Sequence, residues 1–157
     1  MRAIIVGCGR TGAGIAEALV GSGHEVTIID VSSTAFRRLR PDFAGSAIRG
    51  DGTDGDVLRR AGAQGADLFF ALTEGDNRNV LAAQLARDVF AVKRVVAKIN
   101  DPVRAEAYTS LGLNCICRTA MMVDALKRFL GMGGDPHAQS VWETTGERDK
   151  ANVTEAS

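Results

Sequence analysis

The sequence has few of the features that mark several protein classes. Only three of its 157 residues are cysteines, an odd number without a paired framework, which argues against a disulfide-built secreted fold and favours a reducing compartment. No uninterrupted apolar run approaches the roughly 18 residues of a membrane span, and the first residues lack a signal-peptide layout, so we expect no direct membrane insertion. Basic and acidic residues number 19 each, and this zero net charge argues against nucleic-acid binding.

Residues that could form a catalytic or metal site are also scarce. Cys115 and Cys117 lie on one face of a predicted strand, and with no further cysteine or nearby histidine a zinc site there would lack ligands. We interpret both as small buried residues. The only tyrosine, Tyr108, has no lysine four residues on, and neither histidine belongs to a catalytic group. The sequence therefore predicts no catalytic residues and no metal ion.

The sequence does contain a regular alternation of short apolar runs and helical patterns. This alternation predicts an α/β fold, a Rossmann-like doubly wound parallel six-stranded sheet with helices on both faces. The predicted strands are 3–6, 26–29, 46–49, 67–72, 94–99 and 114–116. The predicted helices are 11–21, 33–39, 55–61, 76–90, 102–111 and 119–130. We expect Ser32, Asp54, Asp76 and Thr119 to cap the helices that begin beside them.

The segment Gly-Cys-Gly-Arg-Thr-Gly at 7–12 connects the first predicted strand to the first predicted helix, and Asp30 closes the second strand. This order and spacing form the dinucleotide-binding fingerprint. Gly7 permits a tight turn, Gly9 lets a pyrophosphate approach the backbone, and Gly12 lets the helix pack close to the strand. The N-terminus of that helix suits a phosphate, and the guanidinium of Arg10 is placed to bind one.

The acid at the end of the second strand bears on which nucleotide is bound. The Asp30 carboxylate can accept hydrogen bonds from ribose hydroxyls and would repel a 2′-phosphate, which favours NAD(H), ATP or ADP over NADP. Arg37, Arg38 and Arg40 are interpreted as a solvated helix face. Cys8 lies at a helix N-terminus that would lower the pKa of its thiol, and we interpret it as a small filler rather than a redox-sensitive group.

Further motifs follow the later strands at fixed places. They comprise Gly50-Asp51-Gly52-Thr53-Asp54, Ala71-Leu72-Thr73 with Asp76 and Asn79, Val96-Ala97-Lys98-Ile99, Asp101-Pro102 and Leu111-Gly112. With these motifs, about residues 1–130 resemble the regulator of potassium conductance (RCK/KTN) domain, the N-terminal nucleotide-binding lobe of Trk-type potassium uptake regulatory proteins. Full-length relatives commonly carry a second lobe after the last helix, and we interpret this sequence as a lone N-terminal lobe, either natural or truncated.

The resemblance implies a ligand and a set of binding residues. The ligand would be NAD(H), with ATP or ADP as the alternative. The phosphates would lie on the glycine loop, the ribose on Asp30, and the nicotinamide or distal phosphate near Lys98. The predicted site is Gly7, Cys8, Gly9, Arg10, Thr11, Gly12, Asp30, Val31, Asp51, Gly52, Thr53, Leu72, Thr73 and Lys98. The family often has arginine where Lys98 stands, and lysine lacks the bidentate fork, which leaves the choice between dinucleotide and triphosphate open.

The resemblance also implies a function. The domain would be a cytoplasmic regulatory subunit, peripheral to the inner face of the cell membrane, whose nucleotide controls the gating of a membrane potassium-translocating subunit, and it would not be an enzyme. The alternative is an NAD-dependent oxidoreductase domain, which needs a substrate domain and a proton donor that this sequence does not offer. A purely structural dimerisation module would leave the phosphate loop and its acid unexplained.

The last predicted helix, 119–130, is amphipathic. Its apolar side holds Met121, Met122, Ala125, Leu126, Phe129 and Leu130, and its polar side holds Asp124, Lys127 and Arg128. Such a helix either covers its own sheet or, as the resemblance implies, crosses over to a partner domain. We predict a C-terminal crossover helix that supports a homodimer or a higher ring. Residues 1–131 then form the nucleotide-binding domain, and 132–157 form a hinge and a flexible polar tail.

Overall fold

The computed structural model describes residues 1–133 of the chain. Six strands form one sheet in the spatial order β3-β2-β1-β4-β5-β6, and every neighbouring pair is parallel. The strands are β1 (Arg2–Val6), β2 (Glu25–Asp30), β3 (Ser46–Arg49), β4 (Leu68–Ala71), β5 (Arg94–Ile99) and β6 (Asn114–Cys117). The predicted Rossmann-like, doubly wound parallel sheet of six strands is confirmed.

Helices cover both faces of this sheet. They are α1 (Arg10–Gly21), a 3₁₀ helix (Ser33–Arg38), α2 (Gly55–Arg60), α3 (Asp76–Gln84), which continues as a π-helical turn (Leu85–Val89), α4 (Pro102–Ser110) and α5 (Arg118–Phe129). One apolar cluster joins the sheet to α1 and the 3₁₀ helix, and the other joins it to α2, α3 and α4. The sheet is therefore the middle of three layers.

Strand β1 lies at the centre of the sheet and is buried on both faces. Ile4 and Val6 pack in the cluster beneath α2 and α3, whereas Ala3 and Ile5 pack in the cluster beneath α1. Side chains that alternate between two apolar layers explain why this strand reads as a continuous apolar run. The chain runs from β1 to β2 and β3 on one side of the sheet and then to β4, β5 and β6 on the other side of β1. At such a reversal of strand order, a crevice opens at the carboxyl ends of the strands.

Two of the predicted helix caps are wrong. Asp76 is the first residue of α3 rather than its N-cap, which is Gly75. Thr119 lies inside α5, and the N-cap is Cys117, whose Sγ accepts a hydrogen bond of 3.4 Å from the N–H of Ala120. In both cases the N-cap lies one or two residues before the predicted position.

The other two predicted caps fare differently. The Asp54 side chain accepts a hydrogen bond from the N–H of Asp56, which confirms it as the N-cap of α2. Ser32 is the N-cap residue of the 3₁₀ helix, but its side chain makes no capping hydrogen bond. Its Oγ lies 2.8 Å from Oγ1 of Thr34 instead.

Helix α5 presents its apolar stripe to solvent within the described part of the chain. Phe129 is 88% exposed, Met122 61% and Leu126 55%. Asp124, predicted on the solvated side, is buried instead, and one of its carboxylate oxygens lies 2.8 Å from a guanidinium nitrogen of Arg128. The helix therefore does not use its apolar stripe to cover its own sheet.

Two further expectations concern the limits of the domain. Among residues 1–133, no helix has both the length and the apolar character needed to cross a membrane. The predicted hinge and tail, 132–157, lie outside the described residues except for their first two positions.

Candidate nucleotide-binding site

A cleft of about 410 Å³ opens where the carboxyl ends of β1, β2, β3 and β4 meet. The loops that follow these four strands form its walls. Most of the predicted site residues line it, namely Gly7, Cys8, Gly9, Arg10, Asp30, Val31, Asp51, Gly52, Leu72 and Thr73. Residues scattered over the first half of the chain therefore meet in one place.

The three glycines of the first loop have different surroundings. Gly7 has a φ of +104°, and a Cβ there would lie 2.9 Å from the backbone nitrogen of Thr73. A Cβ on Gly12 would lie 1.9 Å from the carbonyl oxygen of Gly7, so only glycine lets α1 start this close to the loop. A Cβ on Gly9 would meet no atom within 4 Å. Gly9 lines the cleft, and the open space at its Cα is what the approach of a phosphate requires.

The carboxylate of Asp30 joins the glycine loop to the segment after β2. Oδ2 accepts a hydrogen bond of 2.8 Å from the N–H of Cys8, and Oδ1 accepts one of 2.8 Å from the N–H of Ser32. Each carboxylate oxygen keeps a further lone pair. Asp30 is thus held in a fixed orientation while it can still accept a hydrogen bond from a ribose hydroxyl.

The thiol of Cys8 is buried beneath the loop. Its Sγ lies 3.4 Å from the carbonyl oxygen of Ala35, to which it donates a hydrogen bond. Burial, and then the negative charge of Asp30, raise the pKa of this thiol. The expectation that the helix N-terminus lowers the pKa of this thiol is therefore wrong, because burial and the charge of Asp30 outweigh the lowering effect of Arg38. Cys8 has the surroundings of a small filler.

The wall formed by the loop after β3 is built around Asp51. Its Oδ1 accepts hydrogen bonds from the N–H and the hydroxyl of Thr53, at 2.9 and 2.8 Å. These two bonds hold the pKa of Asp51 below its usual value, and the charge of Arg78 acts in the same direction. A Cβ on Gly52 would lie 2.2 Å from a methyl group of Val6, so glycine is needed for this loop to reach the sheet.

Four predicted residues do not line the cleft. Thr11 is exposed on the first turn of α1, and Gly12 is buried under the loop. Thr53 orients Asp51 rather than facing the cleft. Lys98 is buried at the end of β5, with its Nζ 3.2 Å from Oε1 of Glu74.

The cleft also contains charged residues that the sequence prediction missed. Glu74, Arg38 and Arg78 all line it. The sequence predicts Arg38 on a solvated helix face, although its position in the segment after Asp30 is a signal for the ribose end of a nucleotide site. Arg78 lies in the first turn of α3, outside any fingerprint position, and no pattern in the sequence marks it. Among the described residues, no group of three or more potential ligand side chains could hold a metal ion.

The profile of the TrkA-N domain family matches residues 3–119. The chain belongs to this family. It is 44% identical over 137 residues to the Trk system potassium uptake protein TrkA of Streptomyces coelicolor. That alignment covers 87% of this chain and 61% of the relative, so the chain spans about three fifths of the length of that protein.

Solved structures share the fold of this TrkA-N domain. The Kef CTD of Shewanella denitrificans in its AMP-bound form is 24% identical, with a TM-score of 0.71, and the match covers 99% of this chain and 97% of that one. The TrkA-N domain of the inner membrane protein ybaL from Escherichia coli is 19% identical, with a TM-score of 0.72, over 82% of this chain and 96% of that one. At these identities the likeness confirms the fold class.

Proposed function

We propose that this TrkA-N domain binds an adenine nucleotide, NAD(H) or else ATP or ADP, and thereby regulates a membrane potassium-translocating subunit. The observation that carries the proposal is the open face of Gly9 at the start of α1, next to the fixed carboxylate of Asp30. Backbone N–H groups in the first turn of a helix have no partner inside the helix and suit phosphate oxygens. The cleft thus offers phosphate donors and a ribose acceptor side by side.

Different residues of the cleft would contact different parts of the nucleotide. The phosphates would lie on Gly9 and Arg10, and the ribose hydroxyls on Asp30. The adenine would lie against Asp51 and Gly52, because these residues form the wall beside the end of β2. Support for an adenine nucleotide comes from the AMP-bound state of the Shewanella structure.

The regulatory role rests on the relatives and on α5. The Streptomyces relative is named as a potassium uptake protein, and for this chain we propose the same system, a peripheral cytoplasmic position and no catalytic activity. The exposed apolar stripe of α5 fits a second copy of this chain, giving a homodimer or a higher ring. A nucleotide regulates such an assembly when it binds one arrangement more tightly than another.

The first experiment is calorimetry on nucleotide-stripped protein with NAD⁺, NADH, ATP, ADP and NADP⁺, with the molecular mass measured in the same samples. We expect binding of NAD(H) or of ATP and ADP, weaker binding of NADP⁺, and no turnover of any nucleotide. Because Arg38 lines the same cleft as Asp30, the NADP⁺ measurement tests which of the two charges governs the ribose end. Absence of binding by all five ligands would refute the proposal.

A further inference from the structure

Glu74 lines the cleft and also contacts two cations. Its Oε1 lies 3.2 Å from Nζ of Lys98, and its Oε2 lies 3.9 Å from Nη1 of Arg118, the first residue of α5. The Glu74 side chain is 81% exposed, whereas that of Lys98 is only 8% exposed. An accessible carboxylate therefore stands between the cleft and a buried ammonium group.

The strand order fixes where this carboxylate lies relative to a nucleotide. Asp30 ends β2, the glycine loop follows β1, and Glu74 comes shortly after β4, and these strands are consecutive in the sheet. Neighbouring strands are about 4.8 Å apart, so the end of β4, which Glu74 follows, lies roughly two strand spacings, about 10 Å, from the end of β2, where Asp30 lies. A ligand with its ribose at Asp30 and its first phosphate at the glycine loop reaches Glu74 only with its distal groups.

We propose that Glu74 is a specificity-determining residue that weakens the binding of nucleotides in proportion to the negative charge they carry beyond the first phosphate. The inference rests on the proposed binding of adenine nucleotides. ATP would bring its terminal phosphate to the end of the cleft where Glu74 lies, and the two anions would repel each other. Glu74 also offsets part of the positive charge of Lys98 and Arg118, which would otherwise attract that phosphate more strongly. Both effects have the same sign, and AMP experiences neither.

The test compares the dissociation constants of ATP, ADP and AMP for the wild-type domain and for Glu74→Gln, which removes the charge and keeps the shape. ATP is expected to bind roughly three- to ten-fold more tightly to the variant, ADP to gain less, and AMP to change by less than about two-fold. The gain for ATP should shrink when salt is raised from about 0.1 M to about 1 M, because screening weakens the repulsion.

Two further variants make the result specific. Glu106→Gln removes an equal charge from an exposed position on α4 away from the cleft, and it should leave all three constants unchanged. Glu74→Ser removes the same charge with a shorter side chain and should reproduce the change in the ATP-to-AMP ratio. Thermal unfolding of each variant checks that the fold is retained.

The possible results separate this inference from the proposal on which it rests. If wild-type protein binds these nucleotides and the ATP-to-AMP ratio is unchanged in Glu74→Gln, the role of Glu74 is refuted while nucleotide binding stands. An equal gain for all three ligands, or disagreement between the two Glu74 variants, refutes it as well. If wild-type protein binds neither these nucleotides nor NAD(H), the proposed function fails, and the inference fails with it.

Discussion

The side-chain amide of Asn79 encloses Thr73 with three hydrogen bonds. Its Oδ1 accepts from the N–H and the hydroxyl of Thr73, at 2.8 and 2.7 Å, and its Nδ2 donates to the Thr73 carbonyl at 2.9 Å. Nδ2 also donates to the carbonyl of Lys98 at 2.8 Å, and Asn79 is fully buried. One interior amide thus fixes the loop after β4 and ties it to β5.

Replacing this amide should destabilise the fold. Asn79→Leu has a similar volume but takes away the side-chain partner of the half-buried N–H and carbonyl of Thr73 and of the buried carbonyl of Lys98, and we expect it to lower the free energy of unfolding by roughly 3 kcal/mol. Urea denaturation measures the loss. Asn77→Ala, on the exposed side of the same helix, should change it by less than about 0.5 kcal/mol. Equal stability of Asn79→Leu and wild type would show that the amide network contributes little.

The open face of Gly9 allows ligand binding to be tested apart from folding. Gly9→Val should retain the fold, because its side chain enters open space, with a loss of about 1 kcal/mol because valine is a poorer N-cap of α1 than glycine, and it should abolish nucleotide binding in calorimetry. Gly14→Val, which also enters open space but lies outside the cleft lining, should bind as wild type does. Normal binding by Gly9→Val would place the phosphates elsewhere.

Gly12→Ala is expected to behave in the opposite way. Its methyl group would overlap the carbonyl oxygen of Gly7, so the start of α1 must shift and the protein should lose stability even without a ligand. We expect a loss of roughly 1–3 kcal/mol, typical of overpacking in a tight interior. Chemical denaturation of the stripped protein gives the value, and an unchanged unfolding free energy would contradict the close approach of helix and loop.

Asp30 should contribute to both binding and stability. Asp30→Ala removes the proposed ribose acceptor and leaves the N–H groups of Cys8 and Ser32 without their present partner. We expect weaker nucleotide binding and a loss of about 1–2 kcal/mol of folding stability. Asp30→Asn keeps one acceptor oxygen and should lose less stability. Calorimetry measures the binding of both variants, and urea denaturation measures their stability. Wild-type binding together with wild-type stability in Asp30→Ala would contradict this assignment.

Asp76 should make stability depend on pH. Burial alone would raise the pKa of this carboxyl group, but hydrogen bonds from Asn100 and Asp101 outweigh it and hold the pKa below its usual value. A lowered pKa in the folded state gives stability that is present above the unfolded pKa of about 3.9 and is lost as the pH falls through the folded value.

The corresponding variant is Asp76→Asn. Between pH 7 and about pH 2.5, wild type should lose more stability in urea denaturation than Asp76→Asn, which should be less stable at pH 7. Glu106→Gln controls for the change in net charge. Parallel pH profiles for wild type and Asp76→Asn would contradict the role of these hydrogen bonds.

Self-association through α5 can be tested with one charge. Leu126→Glu places a carboxylate on the exposed apolar stripe and should shift the protein to monomer mass in light scattering, with the fold retained in circular dichroism. Lys127→Gln changes the net charge by the same amount on the polar side and should keep the wild-type mass. An assembled Leu126→Glu protein would rule out this surface as the interface.

Much of the architecture could be predicted because it depends on local pattern. Each of the six predicted strands corresponds to an observed strand, and the glycine loop and Asp30 meet as the fingerprint requires. The cap prediction for Thr119 failed because Cys117, two residues earlier, caps α5, and the one for Asp76 failed because a distant segment intervenes. Asp76 turns from its own helix to accept hydrogen bonds from Asn100 and Asp101, which lie two elements later in the chain.

The charges around the cleft were harder to predict for a similar reason. A lysine at position 98 is a residue type that suits contact with a phosphate. Whether it faces the cleft depends on the loop that places Glu74 beside it. Arg78 belongs to the cleft because α3 starts across from Asp51, a relationship that no spacing within either segment encodes. Such residues become visible only when the loops are placed together.

Cys117 is at once the last residue of β6 and the N-cap of α5, so no loop separates strand from helix. No flexible linker residue lies between the two elements. A change in the tilt of β6 at the edge of the sheet would reach the exposed side of α5 directly as a change in helix direction. The edge of the sheet and α5 would then reorient together as one rigid unit.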